Sequence, residues 1–282
     1  MEANVPAQPF NPNQIDPVWQ TWIREQLRIG CDMSDCVHKF RAMGYTDEAI
    51  LASLEALRPR GNAFEQGVME PPLLKRAPAN LRKLDTDKVQ MYTLEGFLSE
   101  KECARITGLS GHHLRPSTLT HYNGDDTFRT SETADLCFLK SPVATGIDDK
   151  ICRTLGIRAE YSDGIQAQRY DVGQQFKPHF DHFQPGSKTY QRFAGMRGNR
   201  TWTFMVYLNE GMQGGATHFT DLDITVQPKV GMALLWNNLL ADGSPNLNTR
   251  HSGEPVLSGY KFIITKWFRV HGDGPLFHDE PG

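Results

Sequence analysis

The 282 residues contain no apolar run approaching the length of a membrane span, no C-x-x-C pair and no excess of basic charge. The missing span argues against membrane insertion. Residues 1–13 also lack a basic stretch followed by an apolar core, so secretion is not expected. Five cysteines, Cys31, Cys36, Cys103, Cys137 and Cys152, are scattered and odd in number, which argues against a disulfide framework or a zinc knuckle and favours a reducing, cytoplasmic compartment. A formal net charge of -3 offers no long-range attraction to phosphate backbones or anionic lipid, so neither nucleic acid nor membrane is expected as a partner. With 39% hydrophobic and 22% charged residues, the chain has the composition of a globular protein, long enough for one large domain and a small one.

What is present begins with short helical signals. Asp16 and Pro17 read as N-cap and first helical residue of a segment with Val18, Trp19, Trp22, Ile23 and Leu27 on one stripe, ending at Gly30. Ser34 can cap a second helix carrying Val37 and Phe40. Thr46 can cap a third carrying Ile50, Leu51, Leu54 and Leu57. Residues 1–60 are therefore expected to form a small three-helix region. From 61 to 87 the chain is rich in Pro, Gly and charge and reads as a linker, after which a separate domain over 88–282 is expected, so that a chain starting near Leu81 should fold.

In that second domain Ser99 and Glu102 form a capping box, and a further helix covers 147–155 up to Gly156. Beyond Gly156 the pattern changes to short strands at 165–170, 201–208, 224–226, 232–236 and 260–268, punctuated by Gly, Pro, Asn and Asp. Helices followed by regularly spaced strands predict an all-β core, a jelly roll or double-stranded β-helix, braced by helices.

The chemistry-bearing pattern is Pro178-His179-Phe180-Asp181. On an extended strand His179 and Asp181 share a face while Phe180 points away. An H-x-D pair alone is more often structural than functional. A distal His251, just before Pro255 and the last strong strand, can return to it in a rolled sheet, and two histidines with one carboxylate make the facial triad of Fe(II) oxygenases. Ten residues after His251, Lys261 lies within an apolar strand. It is either an edge lysine reaching solvent along its stem or a buried ammonium that demands an anion.

Together His179, Asp181, His251 and Lys261 resemble the motif of the prolyl 4-hydroxylase family of Fe(II)/2-oxoglutarate dioxygenases. The likeness extends through Phe97-Leu98-Ser99, Gln168-Arg169-Tyr170, Gly214-Gly215-Ala216-Thr217 and Trp236-Asn237. The resemblance implies Fe(II) on His179, Asp181 and His251, and a 2-oxoglutarate carboxylate held by Lys261, Tyr170 and Thr203. It implies O2 as co-substrate, ascorbate as reductant, and hydroxylation of peptidyl proline with release of succinate and CO2. A carboxylate at Asp181 leaves no room for a halide, which argues against the halogenating branch of the wider superfamily. By the same resemblance Arg129, in Arg129-Thr130-Ser131, and Trp267, six residues after Lys261, are substrate contacts. Glu132-Thr133-Ala134-Asp135 departs from the small residues that usually follow, which puts substrate preference in doubt. Arg197 is a further substrate contact or a solvated loop charge. His182 and His218 lack the spacing of ligands and are expected outside the metal's immediate shell or at the surface.

The Met43-Gly44-Tyr45 loop and the helix after it resemble ubiquitin-associated modules, which implies a protein partner for the N-terminal helices; alternatively Met43 and Tyr45 simply close a small core. The competing classes of function are a cupin-like metal-binding scaffold without turnover, a protein-interaction module, and an oxygenase acting on a substrate other than proline.

Overall fold

The computed structural model describes residues 10–28, 33–56, 66–119, 124–195 and 197–278. Three helices come first: α1 (Pro17–Arg28), α2 (Met33–Ala42) and α3 (Asp47–Ala56). Their ends follow the sequence in part. Asp16 accepts from the Val18 amide at 2.8 Å and Thr46 from the Ala49 amide at 3.3 Å, whereas Ser34 lies inside α2 rather than at its cap. Ile15, Ile23, Phe40, Tyr45, Ile50 and Leu54 form a core of their own. Trp19 and Trp22 meet Phe40 edge to face at 5.8 and 6.0 Å, and the Lys39 ammonium lies 4.1 Å from the Trp22 ring, so both tryptophans are covered from within this unit. Val18 and Leu51, expected on the buried stripes, are exposed instead, since each sits one position off the face that meets Phe40. Gly30 and Leu57 fall outside the described residues.

Four more helices follow: α4 (Pro72–Arg76), α5 (Glu100–Gly111), α6 (Pro142–Leu155) and α7 (Lys188–Phe193). The capping box at Ser99 and Glu102 starts α5, and Gly156, in the left-handed region at φ 91°, ends α6. Fourteen strands are present among the described residues. They are β1 (Leu81–Lys83), β2 (Met91–Leu94), β3 (Arg115–Pro116), β4 (Glu132–Asp135), β5 (Gln166–Tyr170), β6 (Phe176–His179) and β7 (Arg200–Tyr207). Then come β8 (Gln213–Gly214), β9 (Thr217–Phe219), β10 (Ile224–Val226), β11 (Ala233–Asn237), β12 (His251–Gly253), β13 (Val256–Ser258) and β14 (Lys261–Arg269).

The major sheet runs β1-β2-β11-β7-β14-β5-β4-β3, the minor sheet β10-β9-β12-β6, and β13 pairs with β8 alone; all pairings are antiparallel. This is the double-stranded β-helix expected from the strand spacing. The period-two alternation of its strands divides the interior. Trp202, Phe204, Val206, Phe262, Ile264 and Phe268 face α5 and α6, while Met205, Tyr207, Ile263, Leu234 and Trp236 face the minor sheet, across which lie Phe219 and Val226. The second of these layers opens into the functional site.

The segment read as a linker carries part of the first layer. Val68, Met69 and Leu73 are buried in the helix-side core, the Trp202 indole donates to the Val68 carbonyl at 2.7 Å, and α4 packs on α6. The domain boundary drawn at 88 from composition therefore falls within packed structure. Proline-rich composition marks a lack of helix, not a lack of burial. Three buried apolar side chains stabilise by about 1.5–3 kcal/mol each, a large part of a typical folding free energy of about 5–15 kcal/mol. A chain starting at Gln66 is thus expected to melt cooperatively, and one starting at Leu81 to melt far lower or not fold. Equal melting temperatures for the two would contradict this packing.

Candidate active site

The site is a cavity of about 510 Å³ between the two sheets. Its centre comes from strand pairing in the minor sheet. β12 runs antiparallel to β6 with His251 directly opposite His179, and the rings approach to 4.3 Å between centroids. β6 ends at His179, and the chain bends immediately afterwards so that Asp181 turns back to the same point. Its two oxygens lie 3.9 Å from the Nε2 atoms of His179 and His251. All three ligand atoms fall within 4.8 Å of one another, and this is the group of His, Cys, Asp and Glu side chains among the described residues that could hold a metal ion.

Each imidazole is oriented by the backbone. Nδ1 of His179 lies 2.9 Å from the Lys177 carbonyl, and Nδ1 of His251 lies 2.9 Å from the Thr249 carbonyl. A carbonyl only accepts, so Nδ1 carries the hydrogen in both rings and Nε2 presents its lone pair to the centre. Phe176 stacks on His179 at 3.5 Å, and Trp236 meets His251 edge-on at 4.8 Å, which holds the ring planes. Burial pushes the His179 imidazolium down to about 3, so the ring is neutral, as a metal ligand must be. Burial alone would raise the Asp181 carboxyl. The imidazoles, the Arg200 guanidinium and the Thr203 hydroxyl together keep it below the usual carboxylate range. Two imidazole nitrogens and one carboxylate oxygen fit a divalent iron ion.

On β14 Lys261, Ile263, Thr265 and Trp267 alternate toward the cavity. Lys261 is 2% exposed and pairs in register with Tyr170 on β5. Its Nζ lies 5.4 Å from the Tyr170 ring and 5.7 Å from the Tyr207 ring, with no carboxylate within ion-pair distance among the described residues. Burial lowers the ammonium to about 7. A Cβ added at Gly253 would sit 3.7 Å from Nζ, so the absence of a side chain there leaves room beside the amine. Glu254 acts on the amine from beyond ion-pair distance and only partly offsets that burial, so a buried amine with space and no ion pair fits the carboxylate of a dianionic cosubstrate.

Thr203 does not join Lys261. Its hydroxyl donates to Asp181 Oδ2 at 2.7 Å and accepts from the Asn238 amide at 2.9 Å, because β7 places it opposite Trp267 rather than near the Lys261 end of β14. Its hydroxyl is thus engaged with the Asp181 carboxylate. Tyr170 lies beside Lys261, its hydroxyl donating to Gln168 at 2.9 Å. Two residues the sequence reading did not single out complete the Lys261 end: Tyr207, whose hydroxyl donates to Thr217 at 2.8 Å, and Thr217 itself, within the Gly-Gly-Ala-Thr motif. Their place on inward strand positions, at even spacing from Thr203 and near the double glycine, was the available signal.

Arg129 lines the cavity wall, its guanidinium 4.9 Å from the Phe176 ring that backs His179. Trp267 lines the opposite side under Arg200 at 4.0 Å. Arg197 is not a solvated loop charge. It is buried, donating to the carbonyls of Glu160 and Ser162 at 2.8 and 2.9 Å and lying 3.5 Å from Asp163, so it ties the 184–200 segment to the sheet. His182 is buried against Phe180, and His218 bonds Thr225 on the hairpin β9-β10; neither faces the ligand centre.

Residues 165–269 match the family described as the 2OG-Fe(II) oxygenase superfamily. The chain is 32% identical over 200 residues to prolyl 4-hydroxylase subunit alpha-1 of Homo sapiens, covering 70% of this chain and 37% of that protein. It is 30% identical over 218 residues to probable prolyl 4-hydroxylase 4 of Arabidopsis thaliana, covering 68% of this chain and 71% of that one. Among solved structures, viral collagen prolyl hydroxylase from Paramecium Bursaria Chlorella virus-1 superposes with a TM-score of 0.49 at 24% identity, covering 64% of this chain and 94% of that one. The chain thus spans little more than a third of the alpha-1 subunits it matches.

The hydrogen bond from Thr203 to Asp181 predicts a separation of effects. Thr203→Val should weaken Fe(II) binding about tenfold or more, as loss of an orienting partner does, and leave the KM for 2-oxoglutarate at saturating iron unchanged. Iron affinity and KM are read from turnover titrations. A raised KM with unaltered iron affinity would return Thr203 to the cosubstrate.

Proposed function

The chain belongs to the prolyl 4-hydroxylase family within the 2OG-Fe(II) oxygenase superfamily, and from that premise we propose that it hydroxylates peptidyl proline. The observation that carries the reading is the convergence of His179, Asp181 and His251 in one cavity with a buried Lys261 that makes no ion pair among the described residues. A bare metal-binding scaffold has no use for the buried amine, whose desolvation costs stability unless an anion arrives. Bound Fe(II), with 2-oxoglutarate and O2, supplies the oxidising chemistry that yields succinate and CO2 and leaves one oxygen atom on the acceptor carbon.

The protein's own part is binding and positioning. His179, Asp181 and His251 would hold the ion, and Lys261 with Tyr170 would hold the far carboxylate of the cosubstrate and so set its orientation. Arg129 and Trp267, both in the cavity wall, hold the peptide against the centre, and Phe176 and Phe183 line the cavity with apolar surface. Ascorbate is the reductant that keeps the iron ferrous between turnovers. The free thiols of Cys103 and Cys152 support a reducing, cytoplasmic setting; separately, among the described residues no helix is long and apolar enough to cross a membrane. The separate core of the N-terminal helices supports their use as a recognition unit for a protein substrate or partner.

Incubation with Fe(II), ascorbate, 2-oxoglutarate and a peptide library should give products heavier by one oxygen, located on proline by fragmentation. Oxygen found on another residue, or succinate release that no peptide stimulates, would contradict the proposal. Lys261→Ala should raise the KM for 2-oxoglutarate by about 10–100-fold, the loss of one charge-assisted bond, with little change in iron affinity.

The sign of the pH dependence follows from the lowered amine. The free protein loses the Lys261 proton near pH 7, whereas a bound carboxylate requires it. Cosubstrate binding above pH 7 must therefore take up a proton and weaken by about tenfold per pH unit. Calorimetry at pH 6.5 and 8.5 in buffers of different ionisation enthalpy measures this. Affinity that is flat across the range would refute the assignment, as would a slope that persists in Lys261→Ala.

A further inference from the structure

The whole chain is acidic by three charges, but its cavity wall is the reverse. Lys261 and Asp181 serve the cosubstrate and the metal, and Fe(II) with a 2-oxoglutarate dianion adds no net charge. The remaining ionic side chains of the lining are Arg115, Arg129, Arg197, Arg200 and Arg269 against Asp135 and Asp163. Asp163 is shared by three of these arginines, with Arg200 at 3.1 Å and Arg197 and Arg269 at 3.5 Å. Asp135 pairs with Arg115 at the outer end of the wall.

Arg129 has no carboxylate within ion-pair distance among the described residues. Its guanidinium is held only by neutral acceptors: Ser131 at 3.4 Å, the Thr118 carbonyl at 3.2 Å, Thr133 at 3.1 Å and Gln166 at 3.2 Å. Those bonds fix its position without cancelling its charge; burial pushes its pKa down, and Asp181 and Asp135 oppose that only from beyond ion-pair distance. Arginine does not lose its proton in proteins, so the charge stays. Arg200 is stacked at 4.0 Å over Trp267, beside the ligand Asp181, whose carbonyl accepts from it at 3.4 Å. Positive charge therefore lines the same concave, poorly solvated surface as the ligand centre, where its field is least screened.

We propose that this wall selects the substrate by charge: resting on the prolyl-hydroxylase reading, the site takes prolines that have Asp or Glu within a few residues and rejects those in basic stretches. The carboxylate supplies the counter-charge the wall lacks, most directly to Arg129 from the cavity side. Specificity of this kind acts on both association and register, since a basic neighbour meets repulsion before it docks.

The test compares three labelled peptides that differ only around one proline, with two Glu, two Gln or two Lys as neighbours. Binding to the full chain, loaded with Fe(II) and 2-oxoglutarate without oxygen, is read by fluorescence anisotropy, and hydroxylation is read separately by mass spectrometry. The Glu peptide should bind about tenfold tighter than the Gln peptide and more than that over the Lys peptide, with the gap shrinking at about 0.5 M salt. Arg129→Gln should narrow the gap and Arg129→Lys preserve it, which separates charge from shape. Equal binding of the Glu and Gln peptides, or a gap unaltered in Arg129→Gln, would overturn the proposal. If the Glu peptide binds best but no peptide gains oxygen on proline, charge selection stands and the prolyl reading fails.

Discussion

The antiparallel register of β6 against β12 is the constraint from which the site follows. It sets His251 opposite His179 and fixes both Nδ1 atoms on their own backbone carbonyls two residues earlier, Lys177 and Thr249. A slip of one residue would turn both rings to the other face of the minor sheet. The bend after His179 then needs only to return Asp181 to the same point, and Thr203 and Asn238 reach across from the major sheet to hold it there. The two sheets thus meet at the carboxylate, so packing of the barrel and geometry of the ligand set are one problem. The apolar pair Phe219 and Trp236, stacked edge-on at 5.3 Å behind His251, belongs to both.

Charge in this interior is distributed by a simple rule: each buried ion is satisfied by the protein or awaits a ligand. Lys266, also on β14 but on its helix-facing side, bonds Asp148 at 2.7 Å and the Asp163 carbonyl at 3.0 Å, and its pKa stays above the usual lysine value even though burial opposes it. Lys261, five residues away on the opposite face, has no such partner and falls to about 7. The same strand therefore holds one structural and one ligand-seeking lysine. Arg197 and Arg129 repeat the contrast. Arg197 bonds the carbonyls of Glu160 and Ser162, and Arg129 rests on neutral acceptors facing the cavity.

The ligand set was legible because the step of two from His179 to Asp181 and the step of ten from His251 to Lys261 carry the resemblance to the prolyl 4-hydroxylase motif, and such steps survive any detail of packing. The long strands β5, β7, β11 and β14 were legible from their apolar runs, and α5 and α6 from their caps. What escaped was set by tertiary partners. The strands β6, β9 and β12 are only three or four residues long, and Pro178 interrupts the usual signal, so the minor sheet is recognisable only once paired. Thr203 could be placed on an inward face but not assigned to Asp181 rather than Lys261, because that depends on the register of β7 with β14. Val68 and Leu73 lie in a Pro-rich stretch that looks like a tether and packs as core.

The ligand set is the claim on which every other assignment stands, and iron binding tests it without reference to substrate. Anaerobic equilibrium dialysis should find one Fe(II) per wild-type chain and weak or no retention in His179→Ala, Asp181→Ala and His251→Ala, while His218→Ala binds as wild type. Wild-type retention in His251→Ala, with loss in His218→Ala, would contradict the account.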